Sequence, residues 1–148
     1  MKDLTPSRES ERRVRESFAR QGLMQHLGAE LVNVASGECE ISCRPRPELS
    51  QQHGYVHAGV LAAIADSAAG YAALTLMPAD SEVLTVEYKI SLLASAEGEA
   101  LRARGRIMRA GRTLTVCQSE VVAIGGGKET MCAIALVTLI RRPAAHVG

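Results

Sequence analysis

From Val83 onward, apolar and polar residues alternate almost without interruption. Leu84, Val86, Tyr88, Ile90 and Leu92 fall on one face of the first run, with Thr85, Glu87 and Lys89 on the other. Ala100 to Met108 alternates again, with Leu101, Ala103 and Ile107 inward and Arg102, Arg104 and Arg106 outward. Thr113 to Ile124 and Lys128 to Ile140 are two more runs, the last apolar on both faces. A period of two over such lengths predicts β-strands. The turns between them, Arg109-Ala110-Gly111-Arg112 and Gly125-Gly126-Gly127, are short, so the sheet is expected to be antiparallel and meandering. Upstream, Ala29 to Ser36 and Glu38 to Cys43 predict two shorter strands joined at Ser36-Gly37. Cys39, Ile41 and Cys43 face one way in the second. Arg44-Pro45-Arg46-Pro47 ends it, because proline donates no ladder hydrogen bond.

Elsewhere the period is helical. Ser7 to Arg20 opens with Ser7, Glu9 and Ser10 and carries Val14 and Phe18 one turn apart, which predicts a charged amphipathic helix. Gly22 breaks it, and Leu23 to Leu27 is a short second helix. His57 to Leu76 is different. It is rich in Ala and Leu, the strongest helix formers, and is apolar nearly all round, as a buried helix is. Pro78 stops it. Asp66, in its middle, is its only carboxylate. The neighbours one turn away are Ala62, Ala63, Ala69 and Gly70, so its face is expected to be small and dry. A buried carboxylate is costly unless paired, which makes Asp66 a candidate for chemistry. A transmembrane span is disfavoured: an Asp at mid-span costs roughly 2.5–3.5 kcal/mol, and alanines offset it poorly. A sheet with one face to cover and one long apolar helix predict a curved sheet wrapped around that helix.

Composition narrows the function classes. At 148 residues the chain is read as one domain spanning 1–148, with an N-terminal helical extension at about 1–27. A net charge of +1 gives no electrostatic case for nucleic acid or a membrane surface. The polar start MKDLTPSRESERR is not a signal peptide, so the expected location is the cytoplasm. Cys39, Cys43, Cys117 and Cys132 lack metal-ligand spacing and are expected to be free thiols in a reducing compartment. His53 and His57 flank Gly54, a loop signal, and no metal is expected there. Gly125-Gly126-Gly127-Lys128 is not a phosphate loop, since Glu129 follows the lysine and no helix does.

One segment carries a sharper signal. Gly54-Tyr55-Val56-His57-Ala58-Gly59, followed by Leu61-Ala62-Ala63-Ile64-Ala65-Asp66, resembles the G-x-x-H-G-G-x-x-x-x-x-x-D pattern of the hotdog-fold acyl-CoA thioesterases of the phenylacetate-degradation, or PaaI-like, family. Val83-Leu84-Thr85-Val86-Glu87-Tyr88 is similar to that family's strand after the helix, and Arg109-Ala110-Gly111-Arg112-Thr113 to its G-[KR] hairpin. The likeness runs from about Gly22 to Ile140. It departs at Ala58, where the family has glycine, and at Gln51, where relatives carry Asn. The resemblance implies an α+β hotdog fold, with a long central helix in a curved antiparallel sheet.

The resemblance also implies thioester hydrolysis of an acyl-CoA. Unpaired N–H groups at the helix start, at Ala58 and Gly59, suit a developing oxyanion. Asp66 suits a general base or a nucleophile, and the sequence leaves both open. Thr85 resembles a hydroxyl that holds the water, and Gln51 a polar contact. His57 is expected to cap and pack, and Tyr55 to line the substrate pocket. Arg109 and Arg112 suit the phosphates of coenzyme A, which is part of the substrate, so no cofactor is expected. Two alternatives remain: a hotdog-fold enoyl-CoA hydratase or dehydratase, and a non-catalytic acyl-CoA-binding module. Ala58 and Asp66 are roughly 12 Å apart along one helix, at 1.5 Å per residue. Each site is therefore expected to be shared in a homodimer, which assembles further to a homotetramer.

Overall fold

The computed structural model describes residues 5–145. Helix α1 (Arg8–Ala19) starts where expected: Ser7 caps it, its Oγ accepting from Ser10 N at 3.1 Å. Val14 is fully buried and Phe18 packs beside the core. Helix α2 (Gly22–Leu27) ends at Gly28, whose φ of +66° gives the left-handed C-terminal cap. Strands β1 (Glu30–Ala35) and β2 (Glu38–Cys43) form the first hairpin, and β2 buries Cys39, Ile41 and Cys43. Helix α3 (Ala58–Leu74) follows, with His57 as its N-cap. Strands β3 (Ser81–Leu92), β4 (Ala100–Ala110), β5 (Leu114–Gly125) and β6 (Lys128–Pro143) complete the chain.

All six strands form one antiparallel sheet in the order β1-β2-β4-β5-β6-β3, and α3 lies across its inner face. The expected meander therefore holds only for β4-β5-β6. Strand β3 pairs with β6 instead of β4, and the segment from Leu93 to Glu99 carries the chain across to the side where β2 waits. That order explains the apolar content of β6. It is an interior strand with partners on both sides, while β3 is an edge.

A bulge at Val86 corrects the face assignment of β3. Thr85 pairs with Leu139 but Glu87 pairs with Thr138, so one residue is extra and the alternation flips. Tyr88, Ile90 and Leu92 lie opposite the buried Val137, Ala135 and Ala133 and face α3. Leu84 lies opposite Ile140 on the outer face, so it does not share a face with Tyr88 as the alternation predicted. Thr85, read as facing away from the apolar set, points at the helix.

The helix sits close to the sheet because β4 carries Gly105 where they cross. A Cβ there would stand 2.6 Å from the backbone carbonyl of Ala68. Outside, Arg102, Arg104 and Arg106 pair with Glu38, Glu40 and Glu129, and Arg104 holds Glu129 through two nitrogens at 3.0 and 2.7 Å. The C-terminal end of α3 is closed by α1: the Arg13 guanidinium donates to the carbonyls of Leu74 at 2.6 Å, Met77 at 2.9 Å and Pro78. Leu74 O lies at the negative end of the helix dipole, where a cation is favoured, and Met77 and Pro78 belong to the turn that follows the helix. Among the described residues no helix is long and apolar enough to cross a membrane.

Candidate active site

The loop before α3 is closed by its own backbone. His57 N donates to Leu49 O at 2.8 Å, Gln51 N to Tyr55 O at 2.8 Å and Gly54 N to Gln51 O at 3.0 Å. Gly54 supplies the positive φ, +85°, that this turn needs. The Gln51 side-chain oxygen accepts from His53 N, leaving its amide nitrogen for other partners. His57 Nδ1 accepts from Gly59 N at 2.8 Å, so in the neutral ring the proton sits on Nε2. A side chain at Gly59 would press on that ring, its Cβ only 3.0 Å from Nδ1. Capping by His57 consumes the Gly59 N–H. The N–H of Ala58 has no partner among the described residues, and it is the donor left open at the positive end of the helix.

Two turns later, Asp66 is half-buried. One carboxylate oxygen accepts from Thr85 Oγ1 at 2.7 Å, a contact that exists because the bulge turns Thr85 inward. The other oxygen is unpartnered among the described residues. Burial pushes the carboxyl pKa up, and the Thr85 hydrogen bond pulls part of that shift back. The expected dry face is corrected by the structure. Asp66 opens into a cavity of about 280 Å³ whose wall includes the polar Ser17, Gln21, Ser67 and Tyr71 beside Leu23, Val83 and Leu139. The sequence pattern missed this polar wall. Its only trace there is that Ser17 and Gln21 are four residues apart, the first on α1 and the second capping the start of α2.

The predicted site residues divide into groups. Gln51, Tyr55, His57 and Ala58 line a second cavity of about 430 Å³, with Leu92 and Leu93 from the far end of β3. Asp66 and Thr85 line the first. Gly59 and His57 face a third, of about 330 Å³, which meets the first at Leu23 and Ala63. Arg109 and Arg112 lie at the β4–β5 hairpin, line none of these cavities and form no ion pair among the described residues. No cluster of His, Cys, Asp or Glu suited to a metal occurs among the described residues. All four cysteines are buried, and burial pushes the Cys39 and Cys117 thiols up to about 12.

Comparison with known proteins bears on this arrangement. The family model described as the thioesterase superfamily matches residues 53–130. The crystal structure of a thioesterase family protein from Silicibacter pomeroyi is 40% identical, covers 91% of this chain and 99% of its own, and superposes with a TM-score of 0.89. The Escherichia coli PaaI protein of the phenylacetic acid degradation operon shares the fold at a TM-score of 0.85 and 16% identity, over 95% of this chain and 99% of that one. The 1,4-dihydroxy-2-naphthoyl-CoA hydrolase of Listeria monocytogenes is 26% identical over 100 residues, 68% of this chain and 81% of that protein. The family match contains Asp66, Ala58 and Thr85 and begins after α1 and α2. The chain belongs to the thioesterase superfamily, a hotdog-fold hydrolase of thioesters built on the architecture of PaaI.

Proposed function

We propose that the protein hydrolyses the thioester of a small, branched or aromatic acyl-CoA, with Asp66 as general base or nucleophile. The observation that carries this is the Asp66 carboxylate: half-buried, one oxygen fixed by Thr85, the other open to a cavity of about 280 Å³. As a base, Asp66 takes a proton from water while the water oxygen attacks the carbonyl carbon. As a nucleophile, it attacks the carbon itself and water then cleaves the anhydride. In both routes the carbonyl oxygen becomes an oxyanion that an Ala58 N–H stabilises, and coenzyme A leaves as the thiolate and takes up a proton. A Listeria relative that acts on an aromatic acyl-CoA favours the aromatic end of this range. The hydratase alternative needs a histidine beside the carboxylate. Here His57 Nδ1 is occupied in capping α3.

The donor and the carboxylate meet only across two chains. Strand β3 is an unpaired edge of 12 residues with Tyr88, Val86 and Leu92 about half exposed, which is a template for a second copy. Antiparallel pairing of two β3 edges would set the Leu92 end of one chain, with its Ala58 cavity, against the Thr85 end of the other, with its Asp66 cavity. Leu84, Leu114 and Leu136 are about half exposed on the outer face and suit a second interface, hence a tetramer. Four buried thiols suit the cytoplasm. The test uses two inactive proteins. Asp66→Ala removes the carboxylate. Ala58→Pro removes the N–H, at a helical position that tolerates proline. Reassociated in equal amounts, half the dimers are hybrids with one intact site, so activity should return to about a quarter of wild type. Hybrids that form and stay inactive would refute the shared site.

A further inference from the structure

The wall of the Asp66 cavity contains a hydrogen-bonded chain that hydrolysis itself does not use. Ser67 Oγ donates to Gln21 Oε1 at 3.4 Å, Gln21 Nε2 donates to the Tyr71 hydroxyl at 2.8 Å, and that hydroxyl lies 3.3 Å from Ser17 Oγ. All four residues line the Asp66 cavity. Tyr71 is 3% exposed and its ring meets Phe18 edge to face at 5.9 Å, so it is a fixed post. The chain is not complete. The second N–H of the Gln21 amide has no partner among the described residues, and its oxygen has a lone pair to spare. Donor and acceptor therefore stand side by side, which is the pattern a hydroxyl group satisfies from both sides. Gln21 and Ser17 come from the helices that precede the family match.

We propose that Gln21 is a specificity-determining residue, held in place by Tyr71, which reads a hydroxyl group on the acyl chain. This rests on Asp66 as the reacting carboxylate. Asp66, Thr85 and Gln21 line one cavity. An acyl group that fills this cavity from a thioester carbon at Asp66 therefore meets Gln21. A cavity of about 280 Å³ holds a short chain or a single ring. An acyl group with hydrogen in place of the hydroxyl leaves the Gln21 amide desolvated and unpaired, and sites of that kind reject the unsubstituted analogue.

The experiment is kcat/KM on matched pairs: butyryl-CoA against 3-hydroxybutyryl-CoA, and benzoyl-CoA against its 3- and 4-hydroxy forms. The wild-type protein should prefer the hydroxylated member of at least one pair by about tenfold, the worth of one well-made hydrogen bond. Gln21→Leu should erase that ratio. Tyr71→Phe leaves Gln21 in place but unanchored, and should lower kcat/KM for the hydroxylated member more than for its partner. A merely structural role would lower both members by the same factor. Circular dichroism checks the folding of each variant, and Tyr71→Phe carries the test if Gln21→Leu does not fold. Equal rates on every pair, or a preference that survives Gln21→Leu, would overturn the proposal. Failure of the wild-type protein to hydrolyse any of these esters would overturn the reading of Asp66 and this inference with it.

Discussion

Gly105→Ala adds one methyl where α3 crosses the sheet. The new Cβ would lie 2.6 Å from both the carbonyl carbon and oxygen of Ala68 and 2.8 Å from Ala69 N. Ordinary contact begins near 3.4 Å, so the middle of the helix must retreat by about 0.8 Å. The obstructing atoms are helix backbone, which has no rotamer to relieve the clash. Overpacking of this kind costs about 1–3 kcal/mol. Asp66 is two residues from Ala68, about 3 Å along the axis, and moves with it. Its 2.7 Å bond to Thr85 would open to about 3.5 Å if the shift lies along it, the limit of a useful hydrogen bond. Displacement of a reacting group by about 1 Å costs on the order of 100-fold in rate, so a fall of ten- to a hundredfold in kcat/KM is expected. Urea unfolding should show a lower midpoint with unchanged slope, and thiol release should show the rate loss. Gly22→Ala is the control: nothing lies within 4 Å of its added methyl, and it should be neutral or stabilising. An unchanged midpoint in Gly105→Ala would refute the packing estimate. A lowered midpoint with full activity would refute the link between helix seating and Asp66.

Three further outcomes concern Asp66, Arg109 and Arg112. Asp66 acts in its ionised form, so kcat/KM should fall as pH drops through a pKa above the ordinary carboxylate value, and Thr85→Val, which removes the downward pull, should move that limb to higher pH. The sign for stability is opposite. A carboxyl whose pKa is raised in the folded state adds stability that is fully present below its unfolded pKa and lost as pH rises through the folded one. Asp66→Asn should therefore raise Tm at pH 7 while abolishing turnover, with the gap closing toward pH 4; a lower Tm at pH 7 would contradict burial as the cause. Arg112→Ala should raise KM for acyl-CoA and leave kcat nearly unchanged, and an unchanged KM there and in Arg109→Ala would remove these residues from phosphate binding.

The sequence carried the elements well because most of them are periodic. Glu38 to Cys43 is a strand with the boundaries its alternation predicts, and Ser7 caps α1. The long helix is two residues shorter at its end, where Thr75 already serves as the cap. What alternation could not reveal was the extra residue at Val86. A bulge has no side-chain signature in Leu-Thr-Val-Glu, and one inserted residue inverts every face assignment on one side of it. The edge position of β3 was hidden for a similar reason, since short turns suggest neighbours and the connection after Leu93 crosses the sheet. Asp66 stood out because a lone carboxylate in an alanine helix is a local anomaly. Gln21 did not, because it is an ordinary polar residue until α1 folds over α3, and Tyr71 reads as core until its hydroxyl is given partners.

The Arg13 clamp has a consequence for how such a protein can be inherited and altered. The stretch shared with the superfamily begins at residue 53, yet the far end of its helix is finished by an arginine forty residues upstream. Recombination at that boundary would hand a recipient a helix end without its guanidinium clamp and a cavity lacking its Gln21 side. The leading helices and the shared stretch therefore have to be exchanged together. A lineage that discards them needs a replacement cation at the helix end before it is free to acquire a different acyl preference.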